Sequence, residues 1–244
     1  MYFLVYLMFD SMGKYIYTLL LVFTISCLPA SAQVGENRND LSVGVSSGYI
    51  LNKVDFTPKI KQNYKGSPYV GIAARYICEK YFASICAIQV ELNYANLGWE
   101  ELIEDGSGNT YSRDLKYIQL PLLMQMGWGR ETRGLKFFIN AGPQIGYYIG
   151  GDEKRGGDWN TSMRPNGVTY QYGREIDNKL EYGIAGGLGL ELSTKIGHFI
   201  LEGRYYYGLS DIYDNSKKGF FGRSANQSIV IRGAYLLDLI KTKE

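Results

Sequence analysis

LEYGIAGGLGLELSTKIGHFILEGRYYYGLSDIY, residues 180–213, decides how the rest of the chain is read. In its first half Leu180, Tyr182, Ile184, Gly186, Leu188, Leu190 and Leu192 share one parity, while Glu181, Gly183, Ala185, Gly187, Gly189 and Glu191 share the other. After Thr194-Lys195-Ile196-Gly197, Phe199, Leu201, Gly203, Tyr205 and Tyr207 alternate with Ile200, Glu202, Arg204, Tyr206 and Gly208. A period of two over both runs predicts two long strands joined by a tight turn. A soluble sandwich turns its large side chains inward and its charges to water. Here the charges share a face with glycine and alanine, which suits a narrow polar interior. The aliphatic and tyrosine face is therefore expected to look outward into lipid.

Working outward, the same alternation recurs. Residues 41–50 set Leu41, Val43 and Val45 against Ser42, Gly44, Ser46 and Gly48. Residues 68–78 place Val70, Ile72, Ala74 and Tyr76 outward, with Gly71, Ala73 and Arg75 inward. Residues 84–99 alternate Ile88, Val90, Leu92 and Tyr94 with Gln89, Glu91 and Asn93. Residues 111–128 carry Ile118, Leu120, Leu122, Met124, Met126 and Trp128 against Gln119, Pro121, Gln125 and Gly127; Pro121 predicts a bulge or a local break in pairing. Residues 134–150 turn Leu135, Phe137, Ile139, Ala141, Ile145, Tyr147 and Ile149 out and Lys136, Asn140, Gly142, Gln144 and Gly146 in. Residues 223–237 turn Ile229, Ile231, Tyr235 and Leu237 out, with Asn226, Ser228 and Arg232 in. Connections alternate long and short, the longest being the polar stretch 151–178. The predicted fold is all-β, an eight-stranded antiparallel up-and-down transmembrane β-barrel, with long loops outside the cell and both termini in the periplasm.

Composition agrees with that reading. The 244 residues suffice for one sizeable domain, and 26 basic against 24 acidic side chains give no footprint for nucleic acid. Mean hydropathy is only −0.17, as expected where half of each span is polar. The 22 tyrosines suit strands and membrane interfaces, and the 30 glycines suit turns and crowded lumens. Residues 1–32 read as a signal peptide: Lys14, an apolar run over 16–25, and Ala30-Ser31-Ala32 as the cleavage pattern. Asp10 interrupts the segment ahead of it, so translation is expected to start at Met12. Cys27 raises a lipoprotein alternative, which Thr24-Ile25-Ser26 fits poorly. Residues 33–40 read as a polar lead and 41–240 as the barrel domain.

Val90-Glu91-Leu92-Asn93-Tyr94 with Gly98-Trp99, then Tyr117-Ile118-Gln119-Leu120-Pro121-Leu122-Leu123, resembles the third and fourth strands of PorT-like outer-membrane β-barrel proteins, typical of Bacteroides-type bacteria. Ala141-Gly142-Pro143, Tyr182-Gly183-Ile184 with Gly187-Leu188-Gly189, and Glu202-Gly203-Arg204-Tyr205 with Gly208-Leu209 extend the resemblance over essentially the whole mature chain. It implies a barrel embedded in the outer membrane; a role beside a secretion or gliding apparatus belongs to some members only. The chain departs from many barrels in lacking a terminal phenylalanine and ending Lys241-Thr242-Lys243-Glu244.

Candidate functional residues follow from parity. Arg75, Glu91, Lys136, Glu181, Glu191, Glu202, Arg204 and Arg232 point inward, where opposite charges must pair because a lone buried charge costs several kcal/mol. They are read as a salt-bridge plug, with a gated ion path or a polar ligand site as the alternative. His198 is the single histidine; beside a turn it reads as an interfacial residue rather than a catalytic base, and no catalytic, cofactor or metal site is expected. Gly183 to Gly189 lacks the third glycine of a nucleotide loop, Leu192 standing in its place. Cys78 and Cys86 flank a short turn and are either a cross-strand disulfide or two small rim residues. Trp99, Trp128, Tyr147, Tyr205, Tyr207 and Tyr235 are expected in interface girdles. In the long loop Trp159, Arg164, Tyr170, Tyr172 and Arg174 are candidates for contact with polysaccharide, lipid A phosphates or protein. The expected partners are outer-membrane lipid and lipopolysaccharide, with envelope or secretion-machinery proteins beside them. The expected role is non-enzymatic, structural or partner-docking. Alternatives are a narrow channel or transport accessory and a barrel enzyme acting on lipid; a soluble lipocalin-like carrier is opposed by the aliphatic outer face.

Overall fold

The computed structural model describes residues 36–81, 83–130, 133–157, 159, 168–215 and 219–242. Residues 1–32, expected as a signal peptide, with Met12 and Cys27, and the loop residue Arg164, lie outside the described residues. The strands are β1 (Glu36–Thr57), β2 (Gln62–Asn63), β3 (Lys65–Tyr81), β4 (Ser84–Glu101), β5 (Thr110–Gly129), β6 (Gly134–Gly156), β7 (Leu180–Thr194), β8 (Gly197–Gly208) and β9 (Arg223–Ile240). Eight long strands form a closed antiparallel ring in the order β4-β3-β1-β9-β8-β7-β6-β5, with β5 pairing back onto β4. The short β2 adds only Gln62↔Glu101 and Asn63↔Glu100 at the long-loop end of β4. Closure leaves no unpaired edge in lipid.

The alternation read from the sequence is the wall of this ring. Leu188, Leu201 and Ile231 stand outward and exposed, with Gly189, Glu202 and Arg232 beside them turned inward. Small inward residues make room for large ones on neighbouring strands. A side chain at Gly189 would meet the Phe138 ring, and one at Gly183 would meet Tyr206. Gly197, at φ +139°, supplies the backbone conformation that the β7–β8 turn demands.

Several boundaries differ from the sequence reading. β1 starts at Glu36, within the expected polar lead, and runs to Thr57; β6 runs to Gly156, into the expected loop. The start at Glu36 pairs with Lys80 at the short-turn end, whereas the ends of β1 and β6 continue the ladder beyond the apolar belt at the long-loop end, where polar outward residues no longer signal the end of a strand. There Lys116 pairs with Asp152 at 2.9 Å, and Asp114 takes Lys65 at 2.5 Å and Lys154 at 3.2 Å. Burial pushes the Asp114 carboxyl up, but Lys65, Asn96 and Lys154 outweigh it and hold the group below its ordinary range. At Pro121 the ladders to β4 and β6 skip residues yet keep register on either side, a break in pairing without a bulge. Cys78 and Cys86 are free: a register shift between Ile77 and Glu79 sets Cys86 opposite Glu79.

The exposed aliphatic belt has a direct energetic test. Leu188→Arg is expected to lower folding stability in lipid by about 2–4 kcal/mol, the cost of a charge on the lipid face near mid-bilayer. Denaturant titration of the refolded barrel in vesicles reads it, and a change no larger than that of an exposed loop substitution would contradict the outward belt.

Candidate functional site

Eight strands leave an interior that side chains can fill, and here the filling is stratified. The middle layer is built on Glu91 from β4. Arg204, on the diametrically opposite β8, forks it, Nη1 donating to Oε2 at 3.0 Å and Nη2 to Oε1 at 2.7 Å. Arg232 from β9 donates to the same Oε1. Glu202 from β8 accepts from Arg204 Nε at 2.8 Å and Asn140 Nδ2 at 3.0 Å, and lies 3.0 Å from Arg232 Nε. Gln89 and Asn93 also donate to Glu91. Two carboxylates and two guanidiniums therefore balance, and all four side chains are buried.

A second layer lies toward the short-turn end. Arg75 of β3 reaches across the ring to Glu191 of β7, at 2.6 and 3.1 Å. Lys136, the cross-strand neighbour of Glu191, adds a contact at 2.9 Å. His198 is buried and turned inward here, which corrects the interfacial placement expected for it. Its Nδ1 lies 2.7 Å from Glu191 Oε1 and its Nε2 lies 2.8 Å from Asp238 Oδ1. Ser193 Oγ is 3.1 Å from the same Nδ1, so a serine, a histidine and an aspartate stand in line. Ser193 Oγ also donates to Glu191 Oε1 at 3.2 Å. Ser193 and Asp238 escaped the sequence reading, although the hairpin register that sets Ser193 opposite His198 was legible there.

Glu181 is the exception among the inward charges. It is buried with no ion pair among the described residues, and Tyr206 and Asn226 are the polar groups beside its carboxyl. The two internal layers leave little space: two cavities within the lumen hold about 10 Å³ each, room for about one water.

The long-loop end is closed by aromatic rings rather than charge. Phe56 packs on Trp99 and on Phe221, each pair 5.1 Å between centroids, and Tyr111 packs on Tyr172 at 4.6 Å. Trp99 is fully buried in this cap, not in an interface girdle, because its parity follows Glu91 and not Tyr94. Trp128 does lie on the wall, stacked on Phe137. Arg113 ties the loops down: it donates to the carbonyls of Gln171 and Arg174 and to the Tyr213 hydroxyl. Burial pushes the Tyr213 phenol up to about 12. Of the loop contact candidates, Trp159 and Tyr172 pack within the cap, Tyr172 donating to Glu101 at 2.6 Å. Arg174 lies over the Tyr213 ring and pairs with Asp177. Tyr170 remains exposed, stacked on Phe220 at 3.8 Å.

The layers differ in what each charge has to lose. Glu91→Gln strands two guanidiniums on one remaining carboxylate and is expected to cost about 3–5 kcal/mol of unfolding free energy. Glu181→Gln removes no ion pair and should cost less than about 1 kcal/mol. Equal losses in denaturant titrations of the two variants would contradict the layered network.

No curated protein matches the chain. Among solved structures, Neisserial surface protein A is similar at 10% identity and a TM-score of 0.47, covering 83% of this chain and 99% of its own. OprG from Pseudomonas aeruginosa is similar at 11% identity and 0.44, covering 84% and 95%. The outer membrane enzyme PagL is similar at 11% identity and 0.39, covering 78% and 97%. A family model described as "Outer membrane protein beta-barrel domain" matches residues 31–214, and the chain belongs to that family.

Proposed function

We propose that this is a non-enzymatic, non-conducting outer-membrane barrel of PorT-like kind, a rigid envelope anchor whose working surface is the long-loop end. The observation that carries this is the pair of ion bridges across the full ring, Glu91 to Arg204 and Arg75 to Glu191. A conducting path would have to part these charges, and an unpaired buried charge costs several kcal/mol. The aromatic cap adds a second closure. At the same time it holds the loops in one shape, which lowers the ordering cost of docking a partner there. The ion layers supply rigidity, and the recognition chemistry belongs to the exposed loop residues. In this reading the long loops face outward from the cell and residues 1–32 serve export.

Planar-bilayer recordings of the refolded protein test the reading. The wild type is expected to be silent, and Arg204→Ala, which leaves Glu91 and Glu202 under-compensated, to leak or lose stability. Steady ion-selective steps in the wild type, with selectivity altered by Arg204→Ala, would overturn it in favour of a narrow channel.

A further inference from the structure

The long-loop end carries an open groove of about 420 Å³ between residues 177–182 and 209–215. Its walls are locked edge to edge. Leu209 and Ser210 donate their backbone N–H groups to the Tyr182 carbonyl at 2.9 and 3.2 Å, and Ser210 Oγ accepts from the Tyr182 N–H at 3.0 Å. Asn178 Nδ2 donates to the Asp211 carbonyl at 2.9 Å. The groove forms where the β7 and β8 ladders end.

Its charges are unequally occupied. Asp177 is met by Arg174 at 2.6 Å and by the Asp214 N–H at 2.9 Å. Asp211 accepts from Asn215 Nδ2 at 2.7 Å and from the Ser224 N–H at 2.5 Å. Lys179, exposed in the same lining, makes no ion pair among the described residues. Directly below, Leu180, Tyr182 and Leu209 are about half exposed and continue the lipid-facing belt into the groove.

A free ammonium at the upper edge, mixed amide and hydroxyl groups in the middle and aliphatic surface below match the order of groups in a membrane amphiphile. We propose that this groove binds the phosphorylated sugar headgroup of an outer-leaflet glycolipid. Lys179 takes the phosphate as a charge-assisted hydrogen bond. Asn178, Asn215 and Ser210 face the sugar hydroxyls, which both donate and accept. Leu180 and Leu209 guide the first acyl carbons. The volume favours a sugar over a bare phosphate, lying within the range of small-molecule sites. Asp177 and Asp211, with their donors already in place, accept from hydroxyls and disfavour a purely anionic headgroup.

The test uses the full barrel in phosphatidylethanolamine nanodiscs supplemented with lipid A, with the lipid retained through detergent exchange read by native mass spectrometry. The wild type is expected to keep lipid A, Lys179→Ala to lose about tenfold in retention, and Lys179→Arg to recover most of it. Equal retention by wild type and Lys179→Ala would overturn the site. Replacement of lipid A by phosphatidylglycerol at equal concentration would overturn the glycolipid assignment, since phosphate alone would then be read. Neither result bears on whether the lumen conducts.

Discussion

The fork between Glu91 and Arg204 is the constraint on which the other features depend. It joins opposite walls of the ring, and Arg232 and Glu202 complete it so that no guanidinium or carboxylate is left without an opposite charge. A barrel of this strand number has little space to hydrate these four groups, and they meet matched at one height. Strand register is thereby pinned from inside: moving β8 by one residue would carry Glu202 and Arg204 to the lipid face. The second bridge, Arg75 to Glu191, applies the same constraint nearer the short turns.

Between lipid and lumen the chain sorts its chemistry by parity alone, and that sorting was legible. The hairpin of β7 and β8 showed it most clearly, and the long strands were found with their faces correctly assigned. Trp99 was an exception: the expectation of aromatic girdles overrode a parity that placed it beside Glu91 and Asn93. Strand ends were less legible. Above the lipid belt the outward face of β1 and β6 is polar, so it resembles a loop in sequence while its backbone still pairs.

The candidate site was legible in membership and not in partnership. The eight inward charges could be named from their parity, while Ser193 and Asp238 were missed and His198 was expected at the interface. Which charge meets which could not be named, because the partners stand 113 and 116 residues apart and meet only through the closure of the ring. Glu181 has the same parity yet meets no cation among the described residues, and nothing in its own strand says what faces it. The inward turn of His198 follows the parity of Glu202 and Arg204 in its own strand, which the expectation of an interfacial histidine overrode. The free cysteines reflect a single-residue shift in strand register, which leaves no local signature.

The account divides the molecule into an inert shaft and a working end. Its central claim is that the crossing charges hold one another rather than line a path, and a double-mutant cycle on Glu91→Gln and Arg204→Met measures this most directly. Unfolding in lipid vesicles should give a coupling free energy of about 1–3 kcal/mol, the two single losses being far from additive in the double variant. Additive losses, with coupling near zero, would mean that the two side chains are independently solvated, and the packed lumen would have to be abandoned.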